Sequence, residues 1–263
     1  LRRTLGEYRV QPAAFFTFTS DLGDELRGWM IKPRDFDERK QYPVLMYVYG
    51  GPGSQTVENR WLGANYLWYQ MMADRGYIVV SVDGRGTGGR GAQFKKQTYA
   101  QLGKLETEDQ RAAARYLKTL PYVDGARVGI WGWSYGGYMT LLALTRGDEF
   151  KAGIAVAPVT TWRFYDTIYT ERYLKTPQKN ARGYDENSPL QYADQLEADL
   201  LLVHGTGDDN VHFQNSVFMQ DALIAAGKQF RSFYYPNRDH GIRDAAARAH
   251  LYRMMTDFLE EKL

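Results

Sequence analysis

The chain of 263 residues has no cysteine and only four histidines, His204, His212, His240 and His250. Without cysteine there is no disulfide framework and no thiolate zinc site, and the redox compartment stays open because nothing here needs oxidation or is harmed by it. No two of the histidines have metal-ligand spacing and no His-Glu-x-x-His occurs, so neither a metal nor another cofactor is expected. A dominant charge is also missing. The 33 Lys and Arg nearly balance the 31 Asp and Glu, leaving +2, which argues against nucleic acid as the main partner. No apolar run approaches the length of a membrane-spanning helix, and no signal peptide is visible. Internal repeats, low-complexity tracts and interior linkers are absent, which leaves one domain over 1–263 with a short lead at 1–12. The chain opens on Leu1 rather than Met and reads as a piece of something longer.

What is present is a regular alternation of strand and helix patterns. Residues 14–20 and 26–32 read as a hairpin-like pair. Buried strands follow at 43–49, 77–82, 127–131, 151–156, 200–203 and 230–236. Helical periodicity occupies 63–75, 106–120, 211–226 and 243–262, the last with Leu251, Met254, Met255, Phe258 and Leu259 inward. Such alternation predicts the α/β class, a mostly parallel twisted sheet with helices on both faces, in the α/β-hydrolase pattern.

Gly132-Trp133-Ser134-Tyr135-Gly136-Gly137 sits between the strand at 127–131 and a helical run that begins at Tyr138. A serine with glycine two residues to either side, at a strand-to-helix turn, has the form of a nucleophile elbow. The turn exposes the hydroxyl, and the backbone N–H of Tyr135 is free to stabilise an oxyanion. A hydroxyl is a poor nucleophile without a base, so a carboxylate and then a histidine must follow. Asp208 lies just beyond the strand at 200–203, and His240 lies in the loop after 230–236. Ser134, Asp208 and His240 thus each follow a strand, in the required order; Asp209 is the rival carboxylate. The remaining histidines read as structural: His204 closes an apolar strand, His212 opens a helix, and His250 lies on the polar side of the last helix.

Gly84-Arg85-Gly86-Thr87-Gly88-Gly89 matches a dinucleotide fingerprint and follows a strand. It does not open a βαβ series, however, and Arg90-Gly91 continue the loop where a helix should begin. The expected role is a tight loop under the active site, held by Asp83 and Arg85. Aromatic residues supply a further signal. Trp162, Phe164, Tyr165 and Tyr169 crowd one loop after a strand, and four aromatics on a loop need something to pack on. Tyr49 stands beside Gly50-Gly51-Pro52 at a strand end, either as a core tyrosine or as part of the site.

Several segments together resemble the catalytic domain of prolyl oligopeptidase-family serine peptidases, in the dipeptidyl peptidase IV branch. They include Tyr47 to Pro52, Asp83 to Gly86, Gly129 to Tyr138, Gly153 to Val159, Tyr169 to Tyr173, His204 to Thr206, Asp208 to Gln214 and Asp239 to Ile242. The resemblance implies Ser134 as nucleophile, His240 as general base and later acid, and Asp208 as the group that orients it. It implies an oxyanion hole of the Tyr135 N–H and the Tyr49 hydroxyl. It also implies a pocket of Tyr135, Val159, Trp162, Tyr165, Tyr169 and Val211 for a proline or alanine side chain, with Asn210 on the substrate carbonyl one residue back. An upstream β-propeller, whose paired glutamates capture the substrate's free N-terminus, is implied but does not occur in these residues. Tripeptidyl or acylaminoacyl specificity therefore stays open. A carboxylesterase of the same fold would favour a His-Gly-Gly-Gly loop, which this chain lacks, and the intact Ser134, Asp208 and His240 count against a silent homologue. The resemblance further implies a homodimer and a periplasmic, secreted or membrane-surface setting.

Overall fold

A computed structural model describes Tyr8 and residues 10–263, so most of the lead expected at 1–12 lies outside the described residues. Residues 14–19 and 25–31 alternate well enough to form an antiparallel pair, β1 (Ala14–Thr19) and β2 (Glu25–Ile31). The near-continuous apolar runs become β3 (Tyr42–Val48), β4 (Ile78–Asp83), β5 (Val123–Trp133), β6 (Ala152–Val156), β7 (Asp199–Gly205) and β8 (Arg231–Tyr235). Among the described residues these eight strands make one sheet in the order β1-β2-β4-β3-β5-β6-β7-β8. The pairings from β4 to β8 are all parallel, and β2 runs against its neighbours.

Side chains alternate across a strand, so apolar runs must be covered on both faces. Val44, Met46 and Val48 of β3 and Val128 and Ile130 of β5 enter one core, while Leu45 and Trp131 enter the other. The first core is closed by helices over Lys104–Lys118, Tyr135–Thr145 and Gln214–Ala225; the second is closed by Asn65–Asp74 and Ala245–Lys262. Among the described residues the α-helices, in chain order, are α1 (Asn65–Asp74), α2 (Gly91–Lys95), α3 (Lys104–Lys118), α4 (Tyr135–Thr145), α5 (Thr167–Leu174), α6 (Ala181–Asp185), α7 (Gln214–Ala225) and α8 (Ala245–Lys262). The mostly parallel sheet with helices on both faces is an α/β-hydrolase fold. Leu251, Met255, Phe258 and Leu259 of α8 are buried as expected, and Met254 is partly buried.

The structure differs locally from the sequence reading at three helix starts. Helix α7 begins at Gln214 rather than 211: the Val211 carbonyl accepts from His204 Nε2 at 2.8 Å, and the Asn215 N–H that would reach that carbonyl in an α-helix bonds the His212 carbonyl at 2.9 Å instead. His212 therefore lies in the turn before the helix and does not open it. Helix α3 begins at Lys104 rather than 106, since Glu106 Oε2 accepts the Gly103 N–H at 3.0 Å and satisfies a donor at the helix start. A short helix, α2, does start at Gly91, where the loop had been expected to continue.

The chain runs from β3 outward to β4 and then crosses back to β5 on the other side of β3. At such a reversal the connections diverge and open a crevice beyond the carboxyl ends of the two strands. Tyr49 follows β3, and Ser134 follows β5.

Candidate active site

Ser134 occupies φ 61°, ψ −118°, a left-handed region that costs an L-residue about 1–3 kcal/mol and persists only where the surroundings enforce it. Here they do. Its N–H donates to the Val156 carbonyl at 2.8 Å, and its own carbonyl accepts the Tyr138 N–H at 3.0 Å. The flanking glycines are required by close approach: a Cβ on Gly132 would collide with the Gly136 carbonyl, and one on Gly136 with the Val48 carbonyl. As the first residue of α4, Tyr135 has a backbone N–H without an intrahelical acceptor, beside the serine.

The loop after β7 brings Asp208 to His240. His240 Nδ1 lies 2.7 Å from Asp208 Oδ2, and the Asp208 side chain is fully buried. Asp209, by contrast, is exposed. Trp133 Nε1 donates to the His240 carbonyl at 2.9 Å, tying the histidine loop to the strand that carries Ser134. Burial alone would raise the Asp208 carboxyl, but hydrogen bonds from His204 and His240 outweigh it and hold the group well below the usual carboxylate range. An ionised Asp208 keeps the hydrogen on His240 Nδ1 and leaves Nε2 as the basic nitrogen.

Val159 is buried after β6, and the segment that follows carries the aromatics. Trp162 packs on Tyr169 at 5.9 Å nearly parallel and on Tyr165 at 5.7 Å edge-on, while Tyr165 and Tyr169 meet edge-on at 5.3 Å. Tyr135 extends the group, 5.4 Å from Trp162 and 6.1 Å from the half-buried Tyr49. Asp166 Oδ1 caps α5 by accepting the Tyr169 N–H at 2.8 Å, which fixes where that ring enters. The Tyr165 hydroxyl donates to Asn210 Oδ1 at 2.8 Å, linking the aromatic loop to the loop of Asp208. Val211 is fully buried beside it. Burial, with a smaller contribution from Tyr173, raises the Tyr49 phenol, which keeps it protonated as a hydrogen-bond donor.

The model of the prolyl oligopeptidase family matches residues 65–263. The chain belongs to the prolyl oligopeptidase family. A probable dipeptidyl-aminopeptidase B of Trichophyton verrucosum is 46% identical over 92% of this chain and 27% of its own length. Prolyl endopeptidase FAP of Mus musculus is 43% identical over 88% of this chain and 31% of its own. The crystal structure of Porphyromonas gingivalis dipeptidyl peptidase 4 superposes with a TM-score of 0.96 at 49% identity, covering all of this chain and 37% of that one. The chain thus spans about a third of the length of the relatives it matches.

Within this family member, the glycine-rich segment at 84–89 has no phosphate cradle to offer. Its Gly86 N–H donates to Phe94, its Thr87 N–H to Gly84 and its Gly88 N–H to the Ser54 carbonyl, at 3.2, 3.3 and 2.7 Å. Gly53 donates back to Gly86 at 2.8 Å, so the segment braces the loop that follows Tyr49. Asp83 accepts the N–H groups of Thr56 and Val57, and buried Arg85 pairs with Asp109 at 2.6 Å.

Two residues beside the site were read otherwise in the sequence. Glu106, taken only as a helix start, is buried and accepts the Tyr135 hydroxyl at 2.8 Å. His204, taken as structural, contacts Asp208 Oδ2 at 3.1 Å. A histidine four residues before Asp208 was the available signal. His250 is exposed and bonds the Tyr235 hydroxyl at 2.8 Å.

Proposed function

We propose that this chain is the catalytic unit of a serine peptidase that cleaves after proline or alanine and releases N-terminal dipeptides. The observation that carries the reading is the 2.7 Å hydrogen bond from His240 Nδ1 to a buried Asp208, in a chain whose serine elbow is strained. His240 Nε2 takes the Ser134 proton as Oγ attacks the scissile carbonyl carbon. The oxyanion of the tetrahedral intermediate accepts from the Tyr135 N–H and the Tyr49 hydroxyl. His240 then protonates the departing amine, leaving an acyl group on Ser134, and by the same route activates the water that hydrolyses it.

Trp162, Tyr165, Tyr169, Tyr135, Val159 and Val211 enclose the side chain on the acyl side. The pyrrolidine ring suits such an apolar slot. Its two extra methylenes over alanine contribute roughly 1–2 kcal/mol at about 0.8 kcal/mol each, about a tenfold preference. Asn210 holds the carbonyl one residue back. The names of the dipeptidyl relatives suggest release of two residues, and counting them from the N-terminus would fall to the paired glutamates of the upstream propeller that the family resemblance implies. The face of α7 with exposed Val217, Phe218 and Ile224 supports a homodimer, which light scattering of the intact protein at micromolar concentration tests.

In the intact protein a fluorophosphonate should label Ser134, and Ser134→Ala should abolish the labelling. Chromogenic amides should rank Gly-Pro above Gly-Ala, with Gly-Phe and Gly-Lys last. Fastest cleavage after Lys or Phe sinks the slot, and equal rates on free and N-acetylated Gly-Pro remove the dipeptidyl assignment in favour of an acylaminoacyl or endopeptidase one.

A further inference from the structure

We infer that His204 is a positioning residue for the Asp208–His240 pair, an inference that rests on the reading of Ser134, Asp208 and His240 as the peptidase machinery. His204 is completely buried at the end of β7. Its Nε2 faces two acceptors, the Val211 carbonyl at 2.8 Å and Asp208 Oδ2 at 3.1 Å. Neither can donate, so Nε2 carries a hydrogen. Its Nδ1 lies 2.7 Å from Ser216 Oγ, whose hydroxyl supplies the hydrogen on that side. The partners thus set the tautomer. The Phe213 ring packs edge-on against the imidazole at 5.7 Å and holds its plane.

The consequence falls on Asp208. Oδ2 accepts from two imidazoles at once, His204 and His240, while Oδ1 accepts from the N–H groups of Asn210 and Val211. With four donors on two oxygens the carboxylate has one orientation, and His240 Nδ1 meets one oxygen at one angle. The same imidazole holds the carbonyl of Val211, a wall of the aromatic slot, so one ring braces both the charge-bearing group and the specificity pocket. A histidine filling a core would need only partners for its own two nitrogens. This one spends half of its only donor on the carboxylate that orients the base.

The test uses the intact protein and two substitutions at one position. His204→Phe keeps the ring and removes the donor. His204→Gln keeps an N–H where Nε2 stood. For Gly-Pro amide hydrolysis, His204→Phe should lower kcat 10- to 100-fold with KM within about twofold, and slow fluorophosphonate labelling of Ser134 in parallel. That range is about 1.4–2.7 kcal/mol at 1.36 kcal/mol per decade, the span expected for a hydrogen bond to a charged group. His204→Gln should stay within about threefold of wild type. A folded His204→Phe with wild-type kcat overturns the inference, as does a His204→Gln as impaired as His204→Phe. If His204→Phe does not fold, Ser216→Ala decides: it leaves the imidazole but frees its tautomer. It should lower kcat several-fold at constant KM, and unchanged kcat overturns the inference. Wild-type protein that escapes labelling at Ser134 instead overturns the peptidase reading, and this inference with it.

Discussion

Glu106 should make this domain less stable as pH rises through the near-neutral range. Its carboxyl is pushed up from 4.5 to about 7 by burial, with a smaller push from Asp109. Hydrogen bonds from Gly103 and the Tyr135 hydroxyl offset only part of that. An unfolded chain loses the Glu106 proton near the ordinary value, and the folded chain loses it near 7. Between the two the folded state binds more proton, so stability falls with rising pH by about 1.4 kcal/mol per unit, about 3 kcal/mol in all, and levels off above 7. Glu106→Gln removes the titration. Its amide oxygen can accept from Gly103 or from Tyr135 but not both, so the variant should start about 1–3 kcal/mol less stable in acid. The deficit should then shrink, and the stability difference between variant and wild type should move by about 3 kcal/mol in favour of glutamine from pH 4.5 to 8. Urea unfolding of both proteins across that window measures it. Taking the difference cancels buried carboxyls that do not interact with Glu106, such as Asp83, which burial also raises. A difference that stays flat, or moves the other way, refutes the account of Glu106 as a buried, largely protonated acid.

Two further outcomes follow from the site. Asp208→Asn should cut kcat about 10⁴-fold on Gly-Pro amides, while Asp209→Asn, at an exposed position, should cost less than tenfold; the reverse ranking would reassign the carboxylate. Gly136→Ala should yield little soluble protein, because the added methyl meets the Val48 backbone carbonyl rather than a side chain that can yield; a folded variant with wild-type thermal stability would show that the elbow has room to spare.

How far the residues disclose their own arrangement depends on whether their constraint is local. The central strands are legible because runs such as Val44-Leu45-Met46 must be covered on both faces, and the elbow because glycines at 132 and 136 flank a serine within one strand-turn-helix pattern, although the carbonyl that excludes a Cβ at Gly136 belongs to Val48 of β3. Asp208 and His240 are legible for a different reason: each is a chemically specific residue placed just after a strand, and parallel strands deliver their ends to one edge. The start of α7 resists reading because His204, at the end of β7, takes the Val211 carbonyl, and apolar periodicity at 211–213 carries no trace of that competition. His204 and Glu106 resist it more deeply. A histidine that ends an apolar strand looks the same whether it satisfies only itself or also steadies a carboxylate. A glutamate in the first turn of a helix looks solvated until Tyr135, 29 residues on, covers it. For Glu106 the deciding partner belongs to another element, so its own neighbourhood in the chain holds half of the pair; for His204 the partner is four residues on, but the spacing alone does not say that the ring turns toward it. Because buried polar groups must find partners, the residues least legible in the sequence are the ones whose removal should most directly report on the site.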